Sequence, residues 1–78
     1  MNYLTYRWEK DYRYYEAHLE QDLYGWVIIR TWGRKQTHIG RDKKVRVASY
    51  QDGLKKMEQV KKRRNRRGYN LIEGSHHG

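Results

Sequence analysis

The sequence predicts an α+β protein, mostly β: an antiparallel sheet of four to six strands with one long helix, about residues 50–67, packed on it. Three observations carry this. Period-two alternation runs through the first half of the chain, where one face is apolar and the other polar. The connections between successive alternating segments are short, which makes neighbouring strands antiparallel. After residue 49 the apolar spacing changes to 4, 3, 3, at Tyr50, Leu54, Met57 and Val60, which is one face of a helix.

Each element has its own signal. Tyr3-Leu4-Thr5-Tyr6-Arg7-Trp8 is rich in β-formers and reads as the first strand. After the polar break Glu9-Lys10-Asp11, the segment from Tyr12 to Gln21 alternates. Arg13, Tyr15, Ala17 and Leu19 fall on one side; Tyr14, Glu16, His18 and Glu20 fall on the other. Asp22-Leu23-Tyr24-Gly25 has turn chemistry. Trp26 to Trp32 is the most hydrophobic segment and is expected at the centre of the sheet. Lys35 to His38 reads as a basic loop, His38-Ile39-Gly40-Arg41 as a short fourth strand, Asp42-Lys43 as a turn, and Lys44 to Ala48 as a fifth strand. Ser49 followed by Asp52 resembles a capping box at the helix start, and Gly68 is a natural helix stop. Tyr69 to Ile72 adds a short last strand. Residues 3–73 make one domain, and 74–78 read as a disordered tail.

Composition bounds the function. The chain has 78 residues, room for a single domain. It has no Cys, Pro or Phe, so disulfides and Cys-ligated metals are excluded, and Tyr and Trp must carry much of the core. No apolar run reaches the length of a membrane span and no signal-peptide pattern opens the chain, so a cytoplasmic protein is expected. Eighteen Lys and Arg stand against nine Asp and Glu, a net charge of +9. That excess favours a polyanionic partner, nucleic acid foremost. A membrane surface is disfavoured because the helix's apolar stripe is needed by the core.

Two stretches concentrate this chemistry. Trp32-Gly33-Arg34 joins a flat aromatic, a residue without a side chain and a planar cation able to give bidentate hydrogen bonds to phosphate. Lys35 and Arg41 extend it through a basic, glycine-punctuated segment. The helix ends in Lys61-Lys62-Arg63-Arg64-Asn65-Arg66-Arg67, six bases in seven residues, far more than the helix dipole requires. Lys62, Arg63, Arg66 and Arg67 are therefore candidate phosphate contacts. Nucleic-acid binders pair such cations with exposed rings. Catalytic groupings are poor: His18 reads as a hydrogen-bonded structural residue, Ser49 as a cap, and no phosphate-cradling glycine loop is present. No enzymatic activity, cofactor or metal is expected.

The order of these features resembles a WGR domain, the Trp-Gly-Arg module of DNA-dependent poly(ADP-ribose) polymerases and of short bacterial proteins. Tyr14-Tyr15 opens a strand running into Leu19. Trp32-Gly33-Arg34 ends the next long strand. Gly40-Arg41 follows a loop, and a Lys/Arg-rich helix leads to Gly68-Tyr69. The resemblance covers about residues 3–73. It implies a curled antiparallel sheet crossed by one helix, and binding of DNA at strand breaks. In the polymerases the motif Trp packs against a sugar near a strand terminus and the motif Arg meets neighbouring domains; these positions are Trp32 and Arg34. It also implies DNA contacts for Arg13 and Tyr69. The chain departs from the pattern after the tripeptide, where Lys35-Gln36 replace a small apolar residue and a second Gly. A transferase domain is not expected within 78 residues, so a phosphate is the expected partner of Arg34. The expectation is a stand-alone, monomeric DNA-binding module with a preference for strand ends or breaks. The alternative is a protein-interaction module with an acidic partner.

Overall fold

The computed structural model describes residues 3–37 and 40–77. Strands β1 (Tyr3–Lys10), β2 (Arg13–Asp22), β3 (Gly25–Arg34), β4 (Gly40–Val47) and β5 (Asn70–His77) form one antiparallel sheet in the order β4-β3-β2-β1-β5. Helix α1 (Tyr50–Arg66) lies between β4 and β5 in the chain and packs on one face of the sheet. The first four strands are a meander. The helix then carries the chain back to the free edge of β1, where β5 pairs.

Register sorts the side chains. Leu4, Tyr6 and Trp8 pair with Leu19, Ala17 and Tyr15. Leu19, Ala17 and Tyr15 pair in turn with Ile28, Arg30 and Trp32. Because alternate residues share a face, these rows lie together under α1. The buried core is Trp8, Tyr15, Ala17, Leu19, Ile28, Val47 and Met57, with Leu54 and Val60 half-buried beside it. The apolar stripe therefore meets the Ile28 face of β3, and Val27 and Ile29 point to the other side. Gly53 sets the helix–sheet distance: a Cβ there would lie 2.5 Å from Cδ1 of Leu19, so only glycine fits without a shift. Ser49 caps α1, accepting a hydrogen bond from the Asp52 N–H at 3.1 Å.

Several expectations are corrected. The sheet is not strongly curled. Bulges bend sheets; among the described residues pairing shifts register once, between Arg7 and Trp8, while β2, β3 and β4 pair without interruption. The central strand is β2, with β3 beside it. Asp42-Lys43 is no turn: both residues pair with Thr31 and Arg30, and β4 is one strand rather than two. Of the expected fourth strand, His38 and Ile39 lie outside the described residues. Residues 74–77 are not a disordered tail but the end of β5, where His77 pairs with Tyr3. The edge of β1 supplies the reason, since its unpaired N–H and C=O groups take a strand if one is within reach. Gly78 lies outside the described residues. No helix among the described residues is long and apolar enough to cross a membrane.

Candidate nucleic-acid interface

The end of the sheet where β2 begins and β3 finishes gathers the basic and aromatic residues. Arg13 pairs with Arg34, and Trp32 pairs with both Tyr15 and Arg41. Strand alternation places Arg13, Trp32, Arg34 and Arg41 on the helix side of the sheet. Trp32 stacks on Tyr15, with ring centroids 5.8 Å apart and planes 13° from parallel. Tyr15 packs edge-on against the fully buried Trp8. The motif indole thus rests on core, and its position is set by the row of rings beneath it.

Tyr12 reaches the same place from the hairpin between β1 and β2. This hairpin turns at Asp11, which adopts a positive φ of 55°, and its loop is tied to the end of β3 by the Lys35 N–H donating to the Tyr12 carbonyl at 2.8 Å. The exposed Tyr12 ring has two guanidinium neighbours, Arg34 at 5.0 Å and Arg13 at 5.7 Å.

The end of α1 supplies the third wall. Gly68 has φ 83°; its N–H donates to the Asn65 carbonyl and the Tyr69 N–H to the Arg64 carbonyl. This pair of bonds is a Schellman motif, which needs a left-handed residue where Gly68 stands. The motif turns the chain so that Tyr69 faces Tyr15 edge-on at 6.4 Å. Arg64 fills the angle between them, 4.2 Å from the Tyr15 centroid and 5.2 Å from that of Tyr69. Burial presses the pKa of Arg64 down, yet an arginine so placed stays charged. Lys10 closes the helix end by donating to the Arg67 carbonyl at 2.7 Å.

These walls enclose an open cleft of about 500 Å³. Tyr12, Arg13, Trp32, Arg34, Arg41 and Tyr69 line it, together with Tyr14, Gly33, Thr37 and Gly40. Among the described residues its lining holds three arginines and no carboxylate. Among the described residues none of the three forms an ion pair. Gly40 keeps one side open to Tyr14: a Cβ would stand 2.9 Å from the Tyr14 hydroxyl and 3.1 Å from the Trp32 carbonyl oxygen. Tyr14 pairs with Gly33, and Gly33 with Gly40. The tyrosine side chain therefore crosses Gly33 to reach Gly40 of β4.

The fold brings together Trp32, Gly33, Arg34, Arg13, Arg41 and Tyr69 from among the expected site residues. Lys35 stands apart. Its ammonium lies 2.9 Å from Glu9, and this hydrogen bond, with a second from Arg7, holds the Glu9 carboxyl below its ordinary pKa. Lys62, Arg63 and Arg66 on the last turns of α1 and the C-cap Arg67 are exposed and do not line the cleft. Arg64, Tyr12, Tyr14 and Thr37 were not among the expected site residues. For Arg64 a signal existed: it follows Val60 by four residues and so continues the buried stripe. His18 is hydrogen-bonded, with Nδ1 3.1 Å from the Thr5 hydroxyl and Nε2 3.3 Å from Glu16. Among the described residues no group of three or more His, Cys, Asp or Glu side chains is placed to hold a metal ion. Comparison with protein-family models, with curated proteins and with solved structures finds no match to the chain.

Proposed function

We propose that the chain is a non-enzymatic DNA-binding module of the WGR kind that prefers strand ends or breaks. The observation that carries this reading is the cleft: three arginines free of carboxylate partners surround Trp32 and Tyr12. Arg13, Arg34 and Arg41 take phosphate oxygens, for which planar guanidinium groups are suited. Trp32 offers its ring to a sugar or base. In an intact duplex the bases cover one another's faces and each sugar is followed by the next. A terminal residue leaves a face open, and an indole at the rim of a concave site meets it there. The exposed cations of α1, Lys62, Arg63, Arg66 and Arg67, add long-range attraction that draws a polyanion in.

The test is a fluorescence-anisotropy titration of nicked, blunt, single-stranded and intact DNA at several salt concentrations. The reading expects nicked or blunt DNA to bind tighter than intact duplex, with a log–log salt slope of roughly −3 to −5, equivalent to about four to six phosphate contacts. Absence of DNA binding, together with capture of acidic peptides, selects the protein-interaction reading instead.

A further inference from the structure

The helix side of the sheet holds a second basic feature that the cleft does not use. A hollow of about 130 Å³ opens between α1 and strands β3 and β4, lined by Ile28, Arg30, Val45, Lys56, Val60 and Arg63, with Gln59 beside them. Among the described residues that line it three are cations and none is acidic. It exists because α1 lies over the middle of the sheet and its side leaves the outer part of β4 uncovered: Met57 is fully buried, whereas Lys56 and Arg63, which lie on one flank of the stripe, are exposed.

The hollow and the cleft are joined by register. Trp32 pairs with Arg41 in the cleft, Arg30 with Lys43 next to it, and Ile28 with Val45 in the hollow. Alternate residues of a strand share a face, so these three pairs form one row, about 13 Å long at 3.3 Å per residue. The helix borders the same row. Its C-terminal end is at the cleft, where Arg64 covers Tyr15; its N-terminal end is at the far side, where Tyr50 packs on Trp26. Arg63 therefore stands nearer the cleft and Lys56 further along, about 10 Å apart at seven residues. Arg30 links the two regions, donating from its guanidinium to the Tyr15 hydroxyl at 3.4 Å. Among the described residues Lys43, Lys56 and Arg63 make no ion pair.

We infer that this trough, with Lys43 and Arg30 on its floor and Lys56 and Arg63 on its helix wall, carries a single strand of nucleic acid leading away from the terminus held in the cleft. The inference rests on the cleft reading above and adds the substrate class: a duplex end bearing a single-stranded overhang. Two features fit a single strand better than a second duplex. The trough is a channel between a helix and a sheet edge, and its apolar residues, Ile28 and Val45 on the floor and Val60 on the helix wall, suit unstacked base or sugar surface between the cations.

The test compares a blunt duplex with the same duplex bearing an overhang of about four nucleotides, within the span that single-strand grooves cover, in both polarities. Wild type should bind at least one overhang several-fold tighter than blunt DNA, with a salt slope steeper by about 1.5–2, as two or three single-strand phosphates give. The variant Lys43→Gln/Lys56→Gln alters only exposed positions and leaves Arg63, which also attracts DNA to the helix end, in place. It should remove that advantage and that extra slope while binding blunt DNA within about twofold of wild type, and an unchanged melting temperature would show it folded. If wild type binds blunt DNA but gains nothing from either overhang, the trough inference falls and the cleft reading stands. A double variant that weakens blunt and overhang DNA equally also overturns it, because the two lysines are then general charge. If neither substrate binds wild type, the cleft reading fails and takes the trough with it.

Discussion

Arg64 holds its guanidinium 4.2 Å from the centroid of Tyr15, and Tyr15 in turn stacks on Trp32. One residue of the basic helix end is thus spent inward, bracing the ring on which the motif indole lies. A desolvated cation–π contact contributes up to about 2 kcal/mol, and the buried arginine stem adds packing. Arg64→Ala should therefore lower stability by about 1–3 kcal/mol in a urea melt. Lys62→Ala, an exposed neighbour, should change it by less than about 0.5 kcal/mol. Equal losses would mean that Arg64 is no more than another solvated base.

The closeness of Gly53 to Leu19 makes a second prediction. Replacing a helical glycine by alanine gains about 1 kcal/mol in propensity. Here the new methyl would meet the fully buried Leu19 side chain, and overpacking costs about 1–3 kcal/mol. Gly53→Ala should be destabilising on balance, and Met57→Ala should cost about 2–5 kcal/mol because Met57 is fully buried. Leu54→Ala should cost less than Met57→Ala, since Leu54 is half-buried. Thermal or urea melts of the three variants check the order.

Asp22, at the end of β2, and Arg46 of β4 make a bidentate pair at 2.8 and 3.0 Å across β3. The Arg46 hydrogen bond, helped by the Tyr24 N–H, lowers the Asp22 pKa to about 2. A carboxyl whose folded pKa is depressed adds stability that is present above its unfolded pKa, about 3.9, and lost as pH falls through the folded value. The pair should therefore stabilise the fold at pH 5 and cease to do so near pH 2. Asp22→Asn keeps the oxygen that accepts from Tyr24 but removes this pH dependence. The gap between wild type and variant should close between about pH 4 and 2, and shrink in ~1 M salt because both side chains are exposed. A gap that stays constant with pH would assign the effect to turn geometry instead.

At the cleft, stacking and charge separate by substitution. Trp32→Ala removes no charge, so the salt slope of DNA binding should be unchanged while affinity for nicked or blunt DNA drops by roughly 1–3 kcal/mol. Arg34→Gln should weaken binding and reduce the slope by about one. Because Trp32 is half-buried on Tyr15, a melt must accompany the binding curve. A folded Trp32→Ala that binds every DNA form like wild type would leave Trp32 a purely structural residue.

How far the sequence alone reaches is seen residue by residue. Alternation correctly divided Tyr15, Ala17 and Leu19 from Tyr14, Glu16 and His18, and the Ser49 cap and the Gly68 stop were both legible, because each depends on local backbone chemistry. Trp32, Arg34, Arg13 and Arg41 come to one cleft, which required only that they share a face at one end of the sheet. What was not legible depended on partners distant in the chain. Asp42 and Lys43 have turn composition but stay extended because Thr31 and Arg30 pair with them. The residues after Ile72 are polar, yet β1 holds them as a strand. Lys35 belonged by position to the motif, but Glu9, twenty-six residues earlier in the chain, claims its charge. Arg64 looked like one base among six until the fold placed two tyrosines beneath it.

The most direct measurement uses the three indoles as internal controls. Trp8 is fully buried, Trp26 packs on Tyr50 at the far end of the helix, and Trp32 lines the cleft. A ¹H–¹⁵N NMR titration with nicked DNA should shift the Trp32 indole N–H together with the backbone signals of Arg13, Arg34, Arg41 and Tyr69, and leave Trp8 and Trp26 in place. Intact duplex should move the Trp32 indole less at equal concentration. If the shifts are confined to Lys62, Arg63, Arg66 and Arg67 while Trp32 stays fixed, the helix end alone attracts DNA, and the cleft is not the site.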